Sequence, residues 1–119
     1  MKKIFLTTLV ALLSYNAFSQ QEININDLIG YWKPNLESAH VFFWKDDSGK
    51  LLTQSICGSS GEPIDIITLR VEKNLIFIRT VYIPNEWVTE NTYTFINKTT
   101  LKCVVTGDGN GVLIYTKIK

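Results

Sequence analysis

The chain is poor in the side chains from which most catalytic and metal centres are built. Its 119 residues hold one histidine, His40, two cysteines, Cys57 and Cys103, and two arginines, Arg70 and Arg79. A zinc site needs three or four ligands at short spacing; there is no Cys-x-x-Cys, and no histidine stands near either cysteine. His40 as a general base would need a nucleophile and an orienting acid within hydrogen-bond reach. Gly-x-Ser-x-Gly is absent, and Gly58-Ser59-Ser60-Gly61 has the wrong spacing and reads as a loop. His40, at the start of a β-like run, reads as a rim residue. Gly107-Asp108-Gly109-Asn110-Gly111 is followed by a strand pattern, not by the helix a phosphate loop requires. It also lacks the spaced carboxylates and closing Glu of a calcium loop, and so reads as a glycine-rich hairpin. No catalytic residue, metal or cofactor is expected.

Charge of one sign is also missing. Twelve Lys and Arg face eleven Asp and Glu, a net charge of +1. Such a balance offers no broad attraction to nucleic acid or anionic lipid. Long apolar runs are confined to the start. Lys2 and Lys3, the apolar stretch Ile4 to Leu13 and the small-x-small site Ala17-Phe18-Ser19 form the three parts of a Sec signal over residues 1–19. The apolar part is too short to cross a hydrocarbon core of about 30 Å, and no Cys follows it for lipid attachment. Cleavage before Gln20 would remove two lysines and turn +1 into −1. The mature chain, 20–119, is expected to be one exported domain, periplasmic or extracellular, with no integral membrane span and a modest core.

What is present is a regular alternation of strand-like runs and turns. Period-two runs fall at about Gly30–Glu37, His40–Lys45, Leu51–Cys57, Ile64–Glu72, Leu75–Ile83, Trp87–Ile96, Thr100–Thr106 and Val112–Lys119. They are rich in Val, Ile, Thr, Tyr, Phe and Trp, which suit a pleated, half-buried surface. A short helical turn at Asp27-Leu28-Ile29 precedes them. Turn residues separate the runs: Asp46 to Gly49, Gly58 to Pro63, Lys73-Asn74, Pro84 to Glu86, Asn97-Lys98 and Gly107 to Gly111. Runs every 8–12 residues with no room for a crossover helix predict an all-β, up-and-down antiparallel meander of about eight strands. Closing it would hide both edges.

Alternation sets candidate faces. In the sixth run Trp87, Tyr93 and Phe95 oppose Val88, Glu90, Thr92 and Thr94, so the aromatic side is expected to point inward. In the fifth run both sides are apolar; one carries Leu75, Phe77, Arg79 and Val81. If that side is inner, Arg79 sits in low dielectric and needs a partner, either a ligand anion or Glu90. Phe77, Arg79, Trp87, Tyr93 and Phe95 are therefore the candidate ligand-binding residues. Cys57 and Cys103 fall near strand ends in the third and seventh runs. Export would permit a disulfide, but those strands are not neighbours in a meander, so two separate thiols remain the alternative.

Leu28-Ile29-Gly30-Tyr31-Trp32-Lys33 resembles the Leu-x-Gly-x-Trp-Lys opening of lipocalin-like proteins, especially small secreted bacterial ones. The resemblance implies structural roles for Gly30, which lets the chain turn into the first strand, and for Trp32, which closes the barrel floor. Two departures stand out. Pro34 lies within the first run, where it forfeits a ladder bond unless it sits at an edge or bulge. Lys117 and Lys119 occupy the region where the family often has an Arg over the Trp; a lysine can cover an indole by cation–π contact. A flattened two-sheet sandwich is the alternative architecture. The expected function is non-enzymatic binding of a small apolar or amphiphilic molecule in the barrel. The alternative is a protein-interaction module, a secreted inhibitor or immunity-like protein, with a filled barrel.

Overall fold

A computed structural model describes residues 24–119; the leader read at 1–19 lies outside the described residues. A four-residue helix, α1 (Ile25–Leu28), leads into eight strands: β1 (Gly30–Pro34), β2 (His40–Lys45), β3 (Leu51–Ile56), β4 (Pro63–Glu72), β5 (Leu75–Tyr82), β6 (Trp87–Asn97), β7 (Thr100–Gly107) and β8 (Gly111–Lys117). Each pairs with its neighbour in sequence, and β8 pairs antiparallel with β1, so the meander closes into a barrel. The sandwich alternative does not occur. No helix among the described residues is long and apolar enough to cross a membrane.

Short polar side chains hold the turns. Asp46 accepts from the backbone N–H of Ser48 and of Lys50, both at 2.9 Å. Asn85 and Asn97 accept from the N–H groups of Trp87 and Thr99 in the same way. Such bonds replace ladder bonds that the reversing backbone cannot make. Gly30 has a different reason. At φ +142° a Cβ on this residue would lie 1.9 Å from the Lys119 carbonyl oxygen, so the first strand and the chain end approach through a gap that only glycine leaves.

The β1–β2, β3–β4, β5–β6 and β7–β8 connections gather at one end of the barrel, and α1 with the other connections lies at the opposite end. The α1 end is a plugged floor. Trp32 is fully buried, and its indole N–H donates to the Leu28 carbonyl at 2.8 Å. Phe95 meets it edge-on at 6.2 Å between ring centroids. Lys117 reaches over the same indole, 5.8 Å from the ring, and donates to the Asp27 carbonyl. The lysine thus covers the tryptophan where the family's arginine would lie. Val41, Phe43, Ile76, Ile78 and Leu101 complete the packing. Pro34 causes no break because β1 ends there, three residues earlier than the run suggested.

The wall is not uniform. β4 and β5 share seven paired positions, with a bulge between Ile66 and Thr68, whereas β3 and β4 share only Ser55–Ile64 and Ile56–Pro63. Below those two pairs the strands part, and the Gln54 side chain donates to the Ile64 carbonyl across the seam. Val71 pairs opposite the fully buried Ile76, yet the parting leaves it 37% exposed.

Candidate binding cup

Above the floor the barrel is hollow. A cavity of about 520 Å³ opens between the turns at the end opposite α1. Tyr93 and Tyr115 form its base, with ring centroids 5.4 Å apart in an edge-on contact. The Tyr115 hydroxyl donates to the Ala39 carbonyl at 2.6 Å and so ties the β1–β2 connection to the base. Asn35 bonds Ile114 through both its backbone N–H and its side-chain oxygen. At the other side Asp108 accepts from the Val88 N–H at 2.8 Å and pins the β7–β8 turn to β6. The mouth is framed by anchored loops.

A belt of uncharged polar groups rings the middle of the cup. Thr80 and Thr89 face each other from paired positions on β5 and β6, their hydroxyls 2.9 Å apart. Asn91 donates to the Thr89 hydroxyl and to the Ile78 carbonyl. Those two bonds use its amide protons and leave its carbonyl oxygen as an acceptor toward the cavity. Ser55 joins from β3, only 3% exposed. No buried side-chain N or O among the described residues lacks a partner. Ile64, Val105 and Leu113 fill the wall between these groups, and Leu36, Tyr82 and Trp87 stand at the rim.

The five candidate residues separate into three groups. Trp87 and Tyr93 line the cup, one at the rim with 52% of its surface exposed and the other at the base. Phe95 points inward but lies one layer lower, packed against Trp32 in the floor. Phe77 and Arg79 are on the outside. The inner side of β5 is Ile76, Ile78 and Thr80, which are buried, while Arg79 is exposed and pairs opposite the exposed Glu90. Phe77 lies under the Arg70 guanidinium, 4.5 Å from its ring centroid. Two apolar sides left the orientation of β5 open. It is fixed because the Ile76–Ile78 side, with two β-branched residues and no charge, can be buried without stranding an arginine.

The cysteines are both free thiols, and no disulfide joins them. Cys103 is buried in β7 beside Tyr93, and burial pushes its pKa up to about 12. Cys57 follows β3 at the mouth, where the Ser59 hydroxyl lies 3.4 Å from its sulfur. That hydroxyl first, then the Ser60 hydroxyl and the backbone N–H groups of both serines, lower its pKa to about 6. Burial also holds the Tyr93 and Tyr115 phenols well above their ordinary range, so the base of the cup stays neutral. His40 sits on the outer face of the barrel, its Nδ1 bonded to the Tyr31 hydroxyl and its ring stacked on that residue.

The belt was missed in the sequence, yet its signal was there. Thr89 and Asn91 alternate with Val88 and Glu90 on the same side as Trp87 and Tyr93. No family model, curated protein or solved structure matches the chain.

Proposed function

We propose that this chain is an exported, non-enzymatic, lipocalin-like protein that binds a small apolar or amphiphilic molecule inside its barrel. The carrying observation is the cup itself: about 520 Å³ of space, plugged below by Trp32 and open above. Core packing normally leaves few voids larger than a water molecule. A ligand that moves apolar surface from water onto Ile64, Leu113, Val105 and the Trp87 ring gains roughly 25 cal/mol per Å² buried. Native mass spectrometry of protein purified from its source tests the reading. A co-purifying small molecule released on activation supports it. A bare chain that also fails to take up any member of an amphiphile library contradicts it.

A protein-interaction role is the second reading, and the parted β3–β4 seam favours it. Unpaired strand edges offer backbone donors and acceptors to another chain. In the same spectra a stoichiometric partner chain, with no small molecule, would select this reading.

A further inference from the structure

The mouth-side connections of the described barrel carry charge of one sign. The four mouth-side connections, residues 35–39, 57–62, 83–86 and 108–110, carry Glu37, Glu62, Glu86 and Asp108 and contain no Lys or Arg. Lys50, Lys73, Lys98 and Lys119 belong to the floor-side connections or the chain end, beside Asp46 and Asp47. Lys33, Arg70, Arg79 and Lys102 lie exposed along the wall, on its outer side, Lys45 bonds Asn26 at the floor end, and Lys117 is spent on the floor tryptophan. The cup is lined by hydroxyls, amides, phenols and, at the mouth, the Cys57 thiol; Glu37, exposed at the rim, is the one carboxylate among the lining residues, and none of them is a Lys or Arg.

A carboxylate drawn into this cup would pass four like charges and then meet no cation. Burying an ionised carboxylate without a partner is costly enough that such groups neutralise rather than remain charged. A hydroxyl or amide meets the reverse situation. Ser55, Thr80 and the free Asn91 oxygen offer donors and acceptors at the depth where water is being excluded, and neutral hydrogen bonds satisfy them fully.

We propose that the cup selects an uncharged amphiphile whose hydroxyl or amide group bonds the Ser55–Thr80–Asn91 belt, and that it discriminates against fatty-acid anions. The inference rests on the cup being a ligand site and adds the ligand's chemical class. The ligand's apolar part lies against Ile64 and Val105, which pair with Ser55 and Asn91, and against Leu36, and emerges beneath Trp87. An ammonium group suits the acidic rim but not the belt, where no carboxylate stands to offset the cost of burying its charge.

Isothermal titration of the mature chain with three probes of equal length tests this: decan-1-ol, decanoate and decylamine at neutral pH. Decanol is expected to bind at least about tenfold tighter than decanoate, the advantage combining one or two belt hydrogen bonds with the carboxylate's desolvation. Thr80→Val should weaken decanol about fivefold and leave decanoate unchanged, a change in ratio that mere loss of folded protein does not produce. Because Asn91 also supports the β5 backbone, Ser55→Ala serves as the second belt variant, with the same direction. Decanoate binding as tightly as decanol, or decylamine binding tighter than both, overturns the selectivity while leaving the cup a ligand site. Failure of all three probes to bind overturns the selectivity and the ligand reading together.

Discussion

Two of the three tryptophans, Trp32 and Trp87, stand at the floor and at the mouth of the barrel, and replacing each should have opposite consequences. Trp32 has no exposed surface, one indole hydrogen bond at 2.8 Å and an edge contact to Phe95. Trp32→Ala empties the floor, and truncating a buried aromatic costs about 3–5 kcal/mol. That is a large part of the 5–15 kcal/mol available to an ordinary domain. Trp32→Phe keeps most of the ring and removes the donor. The Leu28 carbonyl then loses its partner, at about 1–3 kcal/mol. Trp87 is half exposed at the rim. Trp87→Ala should change stability by no more than about 0.5 kcal/mol while weakening ligand several-fold. Urea unfolding followed by far-UV circular dichroism separates the cases. With m near 1–3 kcal/mol per M, a loss of 3 kcal/mol lowers the midpoint by about 1–3 M at unchanged slope. Equal midpoint shifts for Trp32→Ala and Trp87→Ala would refute the division into a structural floor and an open mouth.

Other expectations follow from single contacts. Gly30→Ala forces a Cβ to within 1.9 Å of the Lys119 carbonyl at a positive φ; it should cost about 2 kcal/mol or more, read as a lower thermal midpoint. Cys57 should alkylate with iodoacetamide at a rate that rises through pH about 6 and is level above it, because the thiolate is the reacting form. Cys103, buried and pushed up to about 12, should react only after unfolding. A mass two hydrogens short in the purified chain, the sign of a Cys57–Cys103 disulfide, would contradict both assignments. In hydrogen exchange, the amides of Leu51 to Gln54 and of the lower half of β4 that face the seam should exchange faster than those shared by β5 and β6, since no ladder partner protects them.

The architecture was legible because turn chemistry and alternation agree along the chain. Asp46, Asn85 and Asn97 mark reversals by a mechanism visible in one residue type, and eight hairpin-linked runs admit few topologies. The floor was legible through Gly30 and Trp32, where a close approach and a large buried ring each restrict the residue. Binding residues were less so. Phe77 and Arg79 were candidates only if their side of β5 faced inward, and an amphipathic argument has no purchase when both faces of a strand are apolar. Only the cost of an unpaired buried guanidinium decides it, and that depends on the neighbouring strands. The hydroxyl belt escaped notice for a related reason: Thr and Ser are ordinary strand residues, and they acquire meaning only where three of them, with an amide, converge around a space. The β3–β4 seam has no local signature, because it arises from a two-residue pairing and a bulge rather than from either strand alone.

The central claim is that the barrel is sealed at its α1 end and receptive at the other. Amide chemical-shift mapping of the folded chain during titration with decan-1-ol tests it most directly. The account expects shifts at Ser55, Thr80, Thr89, Asn91, Tyr93 and Tyr115, with Trp32 and Leu28 unmoved. Shifts confined to the outer face around Phe77 and Arg79, or movement of the Trp32 indole resonance ahead of the belt, would contradict it.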